Sequence, residues 1–218
     1  MENIGDVENF LQKKDGVSKH IKSETNKFDD LQKMLLKEER VYLEVSKNIS
    51  GKDLTQSIFL CDPLNASDVV VALARRISAQ GVLPIIILTT MNYKSARKAL
   101  QKVGLEDKVF LIDTVSKNIS FVKDMENIWF VDSLRNLTQL QIKIVKLIKT
   151  KKNVAFVFDA LNVLELYHSR PILLKFTYSV SKLLKKYKLG GYYSITKPSL
   201  APKLSQFFDN FAEIKKIE

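Results

Sequence analysis

Short apolar runs alternate with stretches of helical periodicity along most of the chain. From residue 41 onward the apolar runs cover residues 41–45, 57–61, 83–88, 109–112, 128–131, 154–158 and 192–195. Between several of them, apolar residues recur every three to four positions, over residues 67–79, 95–103, 137–148 and 172–184. Continuous runs of Val, Ile, Leu and Phe are typical of strands buried on both faces, and intervening helices favour parallel pairing. The pattern predicts an α/β fold with a mostly parallel sheet flanked by helices on both faces.

Polar residues and glycines mark the ends of the predicted helices. Asn65 or Ser67 is expected to cap the helix that follows residue 61, and Asn136 or Thr138 is expected to cap the helix that begins just before Leu140. Gly190 and Gly191 are expected to end a helix and lead into the next strand.

The first 40 residues have a different pattern. Ile21, Phe28 and Leu35 recur every seven residues within residues 17–40, so this stretch predicts an amphipathic helix that is too short for a stable coiled coil. We therefore divide the chain into an N-terminal helical arm, residues 1–40, and an α/β domain, residues 41–218. The helix predicted over residues 17–40 is the expected element for binding a protein partner or for self-association.

The composition excludes several classes of protein. The 218 residues are 45% hydrophobic, which suffices for one domain with a sizeable core. No apolar run approaches the roughly 18–20 residues that span a bilayer, and the first ten residues carry acids and no apolar stretch of a secretory signal. The one cysteine, Cys61, cannot form an intrachain disulfide. We therefore expect a cytoplasmic protein with no membrane partner.

Positive charge is concentrated in the α/β domain. Residues 1–40 carry 8 basic and 9 acidic side chains, whereas residues 41–218 carry 27 basic and 15 acidic ones, a formal net charge of +12. Nine lysines form two groups, the second of which lies near Tyr187, Tyr192 and Tyr193: Lys143, Lys146, Lys149, Lys151 and Lys152, then Lys182, Lys185, Lys186 and Lys188. Basic residues interleaved with aromatic ones favour nucleic-acid binding. The alternative is that these lysines are the solvated faces of two amphipathic helices.

The first strand–turn–helix unit of the domain lacks the residues that bind phosphate. Ligands of open α/β sheets bind at the carboxyl ends of the strands, where a nucleotide site would have the motif GxxxxGK(S/T). The corresponding positions contain no glycine and no lysine: Cys61, Asp62, Pro63, Leu64, Asn65, Ala66, Ser67 and Asp68. Asp62 and Asp68 would repel a triphosphate, and Pro63 has no N–H to donate. The sequence therefore predicts no bound nucleotide cofactor and no conventional ATP hydrolysis.

Several segments, in order, resemble the RecA superfamily, and within it the archaeal KaiC-like group related to the archaellum ATPase. Residues 57–80 resemble the phosphate-loop unit, residues 81–90 resemble the second strand, and residues 109–115 resemble the next strand. Residues 136–140 resemble the start of the helix before the Walker B strand, and residues 154–163 resemble the Walker B strand itself. Residues 204–214 resemble the closing helix and strand. In active members the second strand ends in a catalytic Glu and the Walker B strand in an Asp. This chain has Thr89 and Thr90 near the first position and Asp159 at the second.

The resemblance implies a RecA-like fold with a degenerate phosphate loop, that is, a pseudo-ATPase. We expect a non-catalytic regulatory or assembly protein that acts through protein–protein contacts. Members of this superfamily commonly form rings or filaments, so the resemblance also implies self-association into an oligomer. Two alternatives stay open: a nucleic-acid-binding module that uses the two lysine groups, and a nucleotide-binding protein or ATPase with a divergent site.

Other side chains each have a functional and a structural interpretation. Asp159 would hold Mg²⁺ through water in an active relative, or here cap the turn that follows it or pair with a lysine. Asp113 and Asp132 also follow apolar strands, where aspartates line a shared metal site or cap turns. His168 is expected to be exposed in a loop, and Cys61 to be buried and inert. We predict no metal site and no catalytic residue.

Overall fold

The computed structural model describes residues 36–49, 55–118, 120 and 122–217. Its helices, in chain order, are α1 (Lys37–Lys47), α2 (Ala66–Ala79), α3 (Tyr93–Gln101), α4 (Leu137–Thr150), α5 (Arg170–Lys186) and α6 (Ala201–Ser205). Its strands are β1 (Gln56–Cys61), β2 (Leu83–Leu88), β3 (Phe110–Asp113), β4 (Ile128–Phe130), β5 (Val154–Phe158), β6 (Gly190–Ile195) and β7 (Asn210–Ile214). Short 3₁₀ helices cover Pro63–Asn65, Ser116–Asn118, Leu161–Leu166 and Pro198–Leu200. Of the helices in the described part of the chain, none combines the length and the apolar character that crossing a bilayer requires.

The strands form one sheet in which every pairing is parallel, in the order β4-β3-β2-β5-β6-β1-β7. One face is covered by α1, α2 and α3, which contribute Val41, Leu73 and Leu100 to a continuous apolar core. The other face is covered by α4, α5 and α6, whose Leu147 and Val180 belong to a second core. The predicted parallel sheet with helices on both faces is confirmed.

The connections between strands open two crevices at one end of the sheet. β1 is followed by α2 on one face, whereas its neighbour β6 is followed by α6 on the other. β2 and β5 are also neighbours, and α3 and α5 follow them on opposite faces. Neighbouring strands whose connections leave in opposite directions form a crevice at their carboxyl ends, where ligands of such sheets bind. A candidate site therefore lies where β1, β2, β5 and β6 end. We name this edge the carboxyl end of the sheet.

The prediction of a strand at residues 41–45 is wrong. These residues belong to α1, in which Val41 and Val45 are buried while Tyr42 and Glu44 are partly exposed. A spacing of four between buried residues matches the repeat of a helix. The boundary predicted after residue 40 falls inside α1, and the division into arm and domain stays a prediction. The part of the predicted arm that precedes Leu36 lies outside the described residues.

The prediction that Gly190 and Gly191 end a helix is also wrong, because both lie inside β6. α5 ends at Lys186, and the left-handed residue of the following turn is Lys188, with φ of 54°. A Cβ atom at Gly191 would lie 2.2 Å from Oε1 of Gln56. Gly191 therefore leaves room for the Gln56 side chain to pack closely against the strand, and it does not form a turn.

Candidate functional site

The turn after β1 is closed by its own hydrogen bonds. Asp62 accepts the N–H of Leu64 on Oδ1 at 2.9 Å and the N–H of Asn65 on its carbonyl oxygen, also at 2.9 Å. The N–H of Ala66 donates to the carbonyl oxygen of Pro63, and Pro63 itself has no N–H. A phosphate loop binds its ligand with free backbone N–H groups. In this turn, each N–H from residue 64 to residue 66 already has an acceptor.

Asn65 does not cap α2 as predicted. It occupies the N-cap position, but its side chain makes no capping bond. The residue is fully buried, and within the described part of the chain neither polar atom of its side-chain amide has a hydrogen-bond partner. Asp62 is the capping residue of the 3₁₀ turn instead. The dipeptide Asp62–Pro63 is a turn-initiating signature that the sequence interpretation overlooked. The prediction for Asn136 is confirmed, since its Oδ1 accepts the N–H of Gln139 at 2.9 Å.

The carboxylate of Asp159, directly after β5, caps the turn that follows the neighbouring strand β2. Its Oδ2 accepts the N–H of Thr90 at 3.0 Å, the hydroxyl of Thr90 at 2.5 Å and the N–H of Thr89 at 3.3 Å. The Thr89 hydroxyl donates to the carbonyl oxygen of Asp159. We expected Asp159 to cap its own turn or to pair with a lysine. It holds the turn of another strand instead, and among the described residues no lysine forms an ion pair with it.

Asp159 is fully buried, and the residue that follows it has a strained backbone conformation. Burial raises the pKa of its carboxyl, while the hydrogen bonds from Thr90, Thr89 and Met91 oppose that rise. The second oxygen, Oδ1, is buried and has no hydrogen-bond partner among the described residues. The next residue, Ala160, has φ of 42°, in the left-handed region that residues with a Cβ rarely adopt. Such strain is concentrated at functional positions in proteins. The end of β5 is therefore the strongest candidate for a functional position at the carboxyl end of the sheet.

A cleft of about 350 Å³ lies between the ends of β1, β2, β5 and β6. Its polar groups are hydroxyls, and the remainder of its lining is apolar: Ser67, Thr90, Ser95 and Thr196 in the first set, Pro63, Ala66, Met91, Ala160 and Val163 in the second. None of these described lining residues is charged. Phosphate sites depend on charge-assisted bonds from Lys or Arg. The cleft can donate hydrogen bonds to a small uncharged group, but it lacks the cations that offset a triphosphate.

Cys61 is the last residue of β1 and directly precedes the turn that contributes Pro63 and Ala66 to the cleft. Its side chain is buried, and the thiol donates to the carbonyl oxygen of Ile195 at 3.7 Å. Burial, together with the charges of Asp159 and Asp62, raises the pKa of the Cys61 thiol to about 12. Because the thiolate is the reactive form, Cys61 is protonated and unreactive near neutral pH.

The other aspartates that follow strands are engaged in separate turns. Asp113 is fully buried and accepts the N–H groups of Tyr93, Val115 and Ser116 at 2.7–2.8 Å. Asp132 is exposed and pairs with Lys117 at 2.7 Å. Within the described residues, no three or more His, Cys, Asp or Glu side chains are grouped so as to hold a metal ion. The hydrogen bonds of Asp113 and the ion pair of Asp132 stabilise the segments around them.

His168 differs from its predicted setting. It is half-buried, and its Nε2 lies 2.8 Å from the carbonyl oxygen of Leu134. This contact joins the segment after the 3₁₀ helix Leu161–Leu166 to the loop before α4. A residue expected to be exposed is thus a structural link between two loops.

Both lysine groups lie toward the amino end of the sheet, the end opposite the cleft. α4 and α5 cover the same face, and their carboxyl termini lead into the starts of the neighbouring strands β5 and β6. Of the aromatic residues expected beside them, Tyr192 and Tyr193 are fully buried and unavailable to a ligand, whereas Tyr187 is 44% exposed. The fold therefore brings two lysine groups that are distant in sequence to one end of the sheet.

The fold matches a solved structure although the sequences differ. The crystal structure of a KaiC-like protein from the hyperthermophilic archaeon Pyrococcus horikoshii OT3 matches with a TM-score of 0.52, covering 75% of this chain and 72% of that chain. The fold of this chain is RecA-like. The two sequences are 9% identical, so the likeness concerns the fold alone. No family model and no curated protein matches the chain. The fold class that the resemblance implied is confirmed.

Proposed function

We propose that this chain is a pseudo-ATPase: a RecA/KaiC-like domain with a degenerate phosphate loop that acts in the cytoplasm as a regulatory or assembly protein, through contacts with other proteins. The observation that carries the proposal is the closed turn after β1. The N–H groups of Leu64, Asn65 and Ala66 bond to acceptors within the turn. A phosphate would have to displace those acceptors, and the displaced carboxylate of Asp62 would then repel it.

The arrangement around Asp159 supports the same proposal. In an active relative, the position near Thr90 would supply a carboxylate that activates water, and Asp159 would hold Mg²⁺ through water. In this chain, Thr90 donates both its N–H and its hydroxyl to Asp159. The two positions are bonded to each other and stabilise the ends of β2 and β5. They therefore have a structural role that does not need nucleotide.

Titration calorimetry of the full chain with ATP and with ADP, each with Mg²⁺, tests the loss of nucleotide binding. We expect no saturable heat up to about 1 mM nucleotide, which corresponds to a binding free energy weaker than about −4 kcal/mol. Asp62→Asn is the matched variant, because asparagine keeps the acceptor that closes the turn and removes its charge. If repulsion alone excluded nucleotide, this variant would bind it; we expect no binding, because the turn stays closed. Saturable heat with the parent chain would overturn the proposal in favour of a divergent nucleotide site.

Exposed apolar side chains at the carboxyl end of the sheet support a role in protein contacts. Leu64, in the closed turn, is 72% exposed, and Leu166, in the segment after β5, is 78% exposed. Tyr167, the next residue, is 43% exposed. Exposed apolar residues beside an uncharged cleft are typical of surfaces that another protein covers. We name Leu64, Leu166 and Tyr167 the apolar rim, and propose that it contacts a protein partner or a second copy of the chain.

Gel filtration with light scattering, on the full chain and on a chain without residues 1–35, tests the role of the arm in self-association. The deletion stops before α1 because Val41 and Val45 belong to the core. We expect the shortened chain to remain folded and to associate less. If neither self-association nor partner capture changes, the arm has no such role, and assembly through the apolar rim has to be tested on its own.

A further inference from the structure

The lysines at the ends of α4 and α5 belong to two stretches that contain no acidic residue. No Asp or Glu occurs between Asp132 and Asp159, or between Glu165 and Asp209. The first stretch has six basic residues and the second has eight, which together exceed the formal net charge of +11 of the whole chain. Solvated helices usually interleave both signs, because acid–base pairs three or four residues apart stabilise them. A single sign over two helices is typical of a surface that meets an anionic partner.

The sheet places the two stretches side by side. In the parallel ladder between β5 and β6, Ala155 pairs with Gly190. Asn153 directly precedes β5, and Lys188 lies two residues before β6, so both residues lie at the amino ends of neighbouring strands. Lys152 directly precedes Asn153, and Lys186 ends α5. Lysines that are far apart in the sequence therefore form one basic surface at the amino end of the sheet.

Most of the charge on this basic surface is not neutralised. Lys143 and Lys185 pair with Asp124 and Asp209. Lys146 lies over the ring of Trp129 at 5.0 Å from its centroid, a contact that orients the ammonium group without cancelling its charge. Five others are exposed and form no ion pair within the described part of the chain: Lys149, Lys152, Lys182, Lys186 and Lys188.

Lys188 stands at a position where the backbone favours glycine. Its φ of 54° lies in the left-handed region, which glycine adopts without steric cost and other residues do not. The residue after a helix that takes this conformation is usually Gly or Asn. A lysine at residue 188 therefore does not favour the backbone conformation of the turn, but it adds positive charge to the surface.

We infer that the basic surface at the amino end of the sheet binds the phosphodiester backbone of a nucleic acid. Lysines contact phosphates as point charges, and Tyr187, 44% exposed between Lys186 and Lys188, presents a ring on which a base can stack. Protein interfaces are depleted in lysine and have an apolar centre. Residues 143–152 and 182–188 hold nine lysines and no arginine. The inference does not rest on the proposed function, since the cleft and the apolar rim lie at the other end of the sheet.

Fluorescence anisotropy of the full chain with labelled probes of roughly 20 nucleotides tests the inference. Single-stranded DNA, single-stranded RNA and duplex DNA are separate arms, because all three present the same backbone chemistry. We expect saturable binding at about 50 mM salt that weakens as salt rises. The slope of log affinity against log salt should be about −0.7 per contacted phosphate for single strands and about −0.9 for duplex. The tightest arm identifies the form of nucleic acid.

A triple variant removes charge from the basic surface: Lys152→Gln, Lys186→Gln and Lys188→Gly. We expect its affinity to fall by roughly tenfold at about 50 mM salt, and its salt slope to become shallower by about 2–3 phosphate contacts, since each lysine accounts for about one. The matched control removes three charges from exposed lysines on α3 and after β7: Lys94→Gln, Lys98→Gln and Lys215→Gln. We expect the control to change affinity less than about twofold.

Lys188→Gly alone separates the charge from the folding of the turn. Because glycine relieves the positive φ, the urea midpoint of unfolding should rise or stay unchanged while binding weakens. The inference is overturned if the full chain binds no probe at about 50 mM salt, or if the control variant loses as much affinity as the triple variant. It is also overturned if vesicles of anionic lipid or a polyglutamate peptide bind more tightly than every nucleic-acid probe.

Discussion

At the carboxyl end of the sheet, the acidic side chains that follow β1 and β5 are bonded within the fold. Asp62 closes its own turn, and Asp159 holds the turn of Thr90. At the amino end, Lys152 and Lys186 are exposed and form no ion pair in the described part of the chain. The carboxyl end is where ligands of such sheets usually bind. The polar groups that follow β1 and β5 therefore stabilise the fold itself, whereas the exposed lysines before β5 and β6 form a basic surface at the opposite end of the sheet.

The largest effect we expect is on the labelling rate of the Cys61 thiol, which reports how well the carboxyl end of the sheet excludes solvent. With a pKa of about 12, the folded thiol is ionised in about one molecule in 10⁴ at pH 8, against roughly a quarter for an ordinary thiol. Labelling with a thiol reagent at pH 8 should therefore be about 10³-fold slower in the folded chain than in urea. Rapid labelling of the folded chain would mean that the carboxyl end opens to solvent.

The next effect is on stability, through the bonds that Asp159 accepts. Asp159→Ala leaves the N–H group of the buried Thr89 and the N–H group of Thr90 without their acceptor, so we expect a loss of about 2–3 kcal/mol in the free energy of unfolding. Ser67→Ala is the control, because Ser67 lines the same cleft but is exposed; it should change stability by less than about 0.5 kcal/mol. Urea unfolding of the three chains measures both. Equal stabilities would show that the Asp159 bonds do not support the fold.

The dependence on pH is a smaller effect with a defined sign. Because burial raises the folded pKa of Asp159, its contribution to stability is present below the unfolded pKa of about 3.9 and is lost as pH rises through the folded pKa. As pH rises from about 3 to 7, the free energy of unfolding of Asp159→Asn should therefore increase relative to that of the parent chain. Asp132→Asn should move the other way, because the hydrogen bond from Lys117 lowers the pKa of Asp132. Urea unfolding across this range tests the pair, and the same sign for both would contradict the assignment.

The smallest effect on stability is expected at the apolar rim. Leu64→Asp with Leu166→Asp changes side chains that are 72% and 78% exposed, so the free energy of unfolding should move by less than about 0.5 kcal/mol. If the rim contacts protein, the same variant should lose self-association or partner capture in gel filtration with light scattering. Nucleic-acid binding should be unchanged, because the basic surface lies at the other end of the sheet. Loss of nucleic-acid binding would contradict the separation of the two ends.

Local patterns predicted most of the fold because continuous apolar runs distinguish buried strands from the helices between them. The prediction failed at residues 41–45, where Val41, Tyr42, Leu43 and Val45 fit a strand and a helix equally well over so short a stretch. It failed again at Gly191, because a glycine that ends a helix and one that admits a close neighbour look alike in sequence. Gln56 packs against Gly191, 135 positions further along the chain. No local sequence pattern contains a contact between residues so far apart.

By itself, the sequence determined that the turn after β1 has neither glycine nor lysine and that the two lysine groups lie in stretches without acids. Only the tertiary structure decided what those features do. β5 lies between β2 and β6 in the sheet. Asp159 therefore accepts hydrogen bonds from Thr90 on one side, and on the other side the lysines before β5 lie at the same end of the sheet as those before β6. The neighbours of a parallel strand are set by crossover connections that span many residues, and the periodicity of each segment does not specify which strands will be adjacent.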